Sequence, residues 1–143
     1  MPSSVFTNFP RALAKGDIDF DTMTTKVMLV TSQLSEANLD VWVNRSDVNN
    51  EVANGNGYAT GGIAQPFTLL ALDTANNLQA IDYTDIVNGW TAATFNAAGA
   101  IIYKNTGNAA TDILMHYVEF STPLAPDAGN ANINYTTTFN ITK

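Results

Sequence analysis

The chain has 143 residues, a formal net charge of −7 and no cysteine. That length fits one domain with a genuine core. The absent thiol excludes disulfides, thiolate metal sites and cysteine nucleophiles. Six basic residues, scattered along the chain, speak against a nucleic-acid partner, because phosphate binding needs clusters of Lys and Arg. Charged residues make up only 13%, about half the usual quarter, and Asn and Thr fill the vacancy. A surface that is polar without being charged suits subunit contacts, since few ions must be desolvated. It is equally the mark of a β-rich protein with many turns.

In chain order, Val5 to Lys15 reads as helical. Phe6, Phe9 and Leu13 fall at three- and four-residue spacing and form an apolar stripe. Pro10 marks a helix start or kink, and Gly16 a stop. The opening MPSSVFTNFPRALAKGD has no long apolar run behind a basic start, so neither a signal peptide nor a membrane span is expected. Asp17, Asp19 and Asp21 alternate with Ile18 and Phe20. An EF-hand would continue with Gly at the sixth place and Glu at the twelfth; here stand Thr22 and Met28, and a solvated strand edge is the better reading. Thr25 to Thr31 is a β-branched strand. Ser35 can cap a short helix carrying Leu39, Trp42 and Val43, although Asp40 to Val43 (DVWV) reads equally as a strand; a short helix or irregular segment is the favoured reading.

Glu51 to Gln65 (EVANGNGYATGGIAQ) gathers Gly55, Gly57, Gly61 and Gly62 around Tyr58. The spacing and flanks fit no dinucleotide fingerprint, and no Walker lysine follows. These glycines instead predict positive φ and close backbone approach. Ala64 to Leu72 reads as a strand with Pro66 at its start or edge, Ala75 to Asn77 as a turn and Leu78 to Tyr83 as a strand. Asn88-Gly89 signals a tight turn. Trp90 to Phe95 leads into a central hairpin, Ala100–Tyr103 and Ile113–Phe120, joined by the polar loop Lys104 to Asp112. In its second strand, strict alternation places Ile113, Met115 and Tyr117 on one face and Leu114, Val118 and Phe120 on the other. A strand apolar on both faces is covered on both. After a loop at Pro123 to Asn130, Asn132 to Thr142 alternates as a last, half-buried strand.

About seven strands and one short N-terminal helix predict an all-β domain, a β-sandwich or jelly-roll-like fold. It spans residues 1–143, with a helical arm over 1–16 and the sandwich over 17–143. No catalytic constellation is expected. His116 is the only histidine and cannot build a multi-histidine metal site, and no Gly-x-Ser-x-Gly elbow accompanies it. Asp82, Asp85 and Glu119 could supply a carboxylate pair, and Tyr58, Trp90 and Tyr117 could stack on a sugar or serve core and interface. No cofactor or metal is implied. The sequons at Asn44, Asn134 and Asn140 are expected by chance in so Asn- and Thr-rich a chain.

The order of segments resembles a family of small structural proteins of tailed bacteriophages, of the head-decoration or cement kind. Gly16, Ile18, Asp19, Phe20, Asp21, Lys26, Val27, Leu29 and Val30 match its opening. Glu51, Val52, Gly55, Gly57, Tyr58, Gly61 and Gly62 match its glycine block, with Asn54 as an inserted residue. GWTAATFNAAGAIIYKNTGNAATDILMHYVEF looks like its Trp strand and following hairpin. The last strand departs from a Trp-centred ending. The resemblance implies a non-enzymatic virion protein made in the host bacterial cytoplasm. It would coat the capsid, bridge major capsid subunits, and act as a homo-oligomer without nucleic acid or membrane. A tail-tube, tail-tip or fibre-associated role and a host-glycan-binding module are the alternatives. Val5, Phe6 and Phe9, near a free end, and Tyr58, Gly61 and Gly62, in the glycine-dense loop, are the expected docking surface.

Overall fold

The computed structural model describes residues 2–142. The first strand, β1 (Ser3–Val5), runs into helix α1 (Asn8–Lys15), which closes on Gly16 in the left-handed conformation. β2 (Thr24–Val30) is followed by α2 (Glu36–Val41) and a 3-10 turn, Arg45–Asp47. Then come β3 (Ile63–Ala64), β4 (Phe67–Leu69), β5 (Leu78–Tyr83), β6 (Ile86–Ala93) and β7 (Ala97–Asn105). β8 (Ile113–Leu124), β9 (Gly129–Ile133) and β10 (Phe139–Thr142) complete the order. The fold is all-β, and every strand pair is antiparallel.

Three sheets carry it: β1-β8-β7-β2-β3, β10-β5-β4 and β6-β9. The large sheet is the middle layer. On one face Val27, Leu29, Ala100, Ile102, Met115 and Val118 meet Ile81, Tyr83, Ile86, Trp90, Ile133 and Phe139 of the two small sheets. On the other face Met28, Val30, Ile101, Tyr103, Leu114 and Tyr117 are covered by Leu39 from α2, by Trp42 just after it and by Phe6. The central hairpin is therefore apolar on both sides because it is buried on both sides, as its sequence requires. Each fully buried aliphatic side chain here contributes on the order of 1.5–3 kcal/mol.

The alternation within β8 does not run as expected. Ile102 pairs with His116, but Tyr103 pairs with Leu114, so Met115 is an extra residue on its strand. This bulge puts Met115 and His116 on the same face and shifts every later residue by one position. Tyr117 thus joins Leu114 in the second cluster, while Val118 and Phe120 join Met115 in the first.

Other boundaries shift for identifiable reasons. The expected strand Ala64 to Leu72 is two strands in two sheets, parted at Gln65-Pro66. Asn132 to Thr142 is likewise split into β9 and β10, on different sheets. The Asn88-Gly89 pair is no hairpin turn. It lies inside β6 where the register with β9 slips, and Asn88 has φ of 53°. Asp17 to Asp21 is a turn rather than a strand edge: the Asp19 carboxylate accepts from Asp21 N–H at 3.0 Å and from the Thr22 hydroxyl at 2.9 Å. The expected arm is part of the body. β1 is the outer strand of the large sheet, and Phe6 and Phe9 sit in its two opposite clusters.

Candidate functional site

The glycine block is held to the body by several hydrogen bonds. Gly55, Gly57, Gly61 and Gly62 all have positive φ, as expected. A Cβ on Gly62 would stand 1.8 Å from the Val27 carbonyl oxygen, so the loop lies directly on β2. Tyr58 fills the space beneath. Its hydroxyl donates to Glu51 Oε1 at 2.8 Å and accepts from Leu29 N–H at 3.1 Å. The same carboxylate oxygen takes Gly61 N–H at 2.5 Å, and Tyr103 donates to the Gly61 carbonyl at 2.6 Å. Burial, with the Glu51 charge, drives the Tyr58 phenol far above its ordinary range, against the pull of the Leu29 amide. Neither phenol ionises near neutrality; burial pushes Tyr103 up to about 12. Tyr58 stacks on Trp90 with centroids 6.3 Å apart, and both rings meet Phe95 edge-on.

Beside this block, Arg45 Nε donates to Asp112 Oδ2 at 2.8 Å. Its guanidinium carbon lies 5.7 Å from the Tyr103 ring centroid. Asp112 is fully buried, and it also accepts from the Thr106 N–H and hydroxyl at 2.7 and 2.9 Å. Burial opposes its charge, but Arg45 and the two Thr106 donors outweigh burial and hold its carboxyl below the usual range. The effect is to clamp the hairpin loop onto the 3-10 turn.

His116, the only histidine, packs against the first cluster. Its Nδ1 shares a hydrogen bond with the Tyr83 hydroxyl at 2.7 Å. Phe9 and Phe139 flank the ring at centroid distances of 4.8 and 4.5 Å. Burial lowers its pKa to about 3, so the ring is neutral and packed. The three acids that could supply a carboxylate pair are engaged elsewhere or exposed. Asp85 accepts from Tyr135 N–H at 2.7 Å, Glu119 accepts from Gln33 Nε2 at 2.6 Å, and Asp82 faces solvent. Tyr58, Trp90 and Tyr117 are buried to 3% exposure or less, so none is a sugar platform. Among the described residues no three His, Asp or Glu side chains gather as a metal site, and no helix is long and apolar enough to cross a membrane.

The expected docking residues divide sharply. Val5 is 41% exposed. Phe6, Phe9, Tyr58, Gly61 and Gly62 are buried within the chain, and a side chain already inside a core cannot also be a docking surface. Exposed apolar side chains occur instead at Leu69, Leu70 and Leu72, at Val41 and at Val87. In the sequence these leucines belong to the expected strand Ala64 to Leu72, with Pro66 at its start or edge.

No family model, no curated protein and no solved structure matches the chain.

Proposed function

We propose that this chain is a non-enzymatic structural protein of a tailed-bacteriophage virion. Its most fitting place is the capsid, as a decoration or cement protein bridging major capsid subunits. The observation that carries this reading is where the reactive side chains go. His116, Tyr58, Glu51, Arg45 and Asp112 are each engaged in hydrogen bonds inside the fold, where they fix loops onto strands. The order of sequence motifs supplies the phage context. The charge-poor, Asn- and Thr-rich exterior suits protein contact. Many copies on a symmetric lattice would turn a modest single-site affinity into firm attachment. A tail-tube, tail-tip or fibre-associated position is the rival within the same class.

Labelled electron microscopy of purified particles tests this directly. Label over the head is expected. Label confined to the tail favours the rival, and particles without the chain contradict both. Deleting residues 1–15 would be a poor test of docking, because it removes Phe6 and Phe9 from the core. Val5→Asp is the better probe. It should leave the fold intact and reduce incorporation if this end touches the capsid, and full incorporation would remove Val5 from the contact.

A further inference from the structure

Asparagine followed by glycine occurs at Asn54-Gly55, Asn56-Gly57 and Asn88-Gly89. In such a pair the glycine amide nitrogen can attack the asparagine side-chain carbonyl carbon, because glycine has no side chain to hinder the approach. The structure treats the three pairs differently. Asn54 is tied at both reacting ends. Its Oδ1 accepts from Thr60 N–H at 3.3 Å, and Gly55 N–H donates to the Tyr58 carbonyl at 2.8 Å. Asn88 lies within β6. Its Oδ1 accepts from Asn130 Nδ2 at 3.0 Å, and its own N–H donates to Asn132 Oδ1 at 2.5 Å. Gly89 beside it is packed: a Cβ there would stand 2.2 Å from Ile86 Cγ2 and 2.7 Å from Ile63 Cδ1. Asn56 is placed otherwise. Gly55 and Tyr58 exchange backbone hydrogen bonds at 2.8 and 2.9 Å, so Asn56-Gly57 is the tip of a tight hairpin, with φ of 50° and 84°. Both tip residues are exposed. Among the described residues, neither the Asn56 side chain nor the Gly57 N–H has a hydrogen-bond partner.

We infer that Asn56 is a site of spontaneous modification in the folded protein, converted to aspartyl and isoaspartyl forms through a cyclic imide with Gly57. Hydroxide removes the Gly57 amide proton. The nitrogen bonds to Asn56 Cγ, the Cγ–Nδ2 bond breaks, and ammonia leaves. Water then opens the imide at either carbonyl. In sum, one side-chain amide and one water give one carboxylic acid and one ammonia, with no oxidant and no enzyme. Opening at Cγ leaves an ordinary aspartate. Opening at the main-chain carbonyl leaves the chain running through Cγ, one carbon longer. Either product adds a negative charge to a chain already at −7. The isoaspartyl form also turns the Asn56 carbonyl, which accepts from Thr94 N–H at 2.9 Å, into a free carboxylate. That bond now pins the glycine block to the end of β6. It also restrains the turn, as does the close seat of Gly57 on Ala93, so the folded chain reacts more slowly than the unfolded one. The inference does not depend on the virion reading and is testable without particles.

Peptide mapping by mass spectrometry tests it, on the intact folded chain held in warm, mildly alkaline buffer and sampled over days. Asn56 should show the amide-to-acid mass change first, as two peptide isomers of equal mass. Asn54 and Asn88 should lag by about tenfold or more, because hydrogen bonds must open before either can react. In urea that unfolds the chain, the three pairs should react at like rates, since the fold alone separates them. Asn56→Gly suits the left-handed φ and removes the amide. It should lose the early acidic form on ion exchange, whereas Asn54→Ser should keep it. Conversion led by Asn54 or Asn88 in the folded chain overturns the inference, as do equal rates at the three folded sites. So does an Asn56 amide that is intact after about ten times the half-time measured in urea.

Discussion

At the scale of single residues, the sharpest constraint is Gly62. It combines a φ of +68° with a Val27 carbonyl where a Cβ would go. Gly62→Ala must therefore move β2 or the loop, and it belongs to the class of substitutions costing about 4 kcal/mol or more. Gly16 has φ of +77° but open space around it, so Gly16→Ala should cost only the left-handed backbone term, about 1 kcal/mol. Urea unfolding of the two variants should separate them clearly; equal losses would contradict the close approach. His116 makes a pH-dependent counterpart. The fold holds it neutral, with its pKa lowered from 6.5 to about 3 by burial. The unfolded chain takes up that proton below about pH 6.5. The stabilisation is therefore complete above that pH and is lost as acid approaches pH 3, by up to about 1.4 kcal/mol per unit. Asp112, with its depressed carboxyl, adds its own loss as the pH falls through the ordinary carboxylate range and below it. Urea midpoints should fall between about pH 6.5 and pH 4, and the double variant Tyr83→Phe, His116→Phe should flatten that slope. An unchanged slope would mean His116 is not the group responsible.

At the scale of elements, α2 is a six-residue helix held by its cap. Ser35 and Asn38 exchange a capping box, with Asn38 N–H donating to Ser35 Oγ at 3.3 Å and Ser35 N–H to Asn38 Oδ1 at 2.9 Å. α2 brings Leu39 and Trp42 over the large sheet, so Ser35→Ala should cost about 1 kcal/mol and raise amide exchange through α2. A helix equally protected without the serine hydroxyl would show that packing alone sets it. This cap was legible in the sequence, as were the Gly16 stop, the two-sided hairpin and the positive-φ glycines, because each depends on neighbours in the chain. What was not legible depends on partners far along it. The Met115 bulge exists because β7 and β8 differ by a residue over the same span, which no alternation pattern announces. The sheet changes at Gln65 and near Tyr135 rest on a bond between the two crossings. Tyr135 donates to Gln65 Oε1 at 2.6 Å, and Gln65 Nε2 donates to the Pro66 and Thr84 carbonyls, each at 2.9 Å. A buried glutamine in a loop gives no sequence signal of that role. The docking residues failed for a related reason: Phe6 and Phe9 look alike in a stripe, yet one enters each cluster once β1 joins the sheet.

At the scale of the molecule, the low charge and the two clusters argue for one design. A sheet buried on both faces, with its loops fixed by Glu51, Asp112 and Gln65, is a rigid body. Rigidity reduces the ordering cost of binding, which is what the proposed structural role would require. The exposed apolar groups then matter more than any cavity. Among the described residues the large exposed apolar side chains lie at the β4 edge and at isolated valines. On a capsid, such a body would stabilise the shell by burying area across a subunit junction, an interface of roughly 1,200–2,000 Å² in ordinary cases. The most direct measurement is a cryo-electron-microscopy map of purified virions from cells expressing this chain. The virion account predicts density for this fold at repeated positions on the outer face of the head, contacting more than one capsid subunit. Virions that carry no such density on head or tail, in preparations where the chain remains soluble and free, would contradict it.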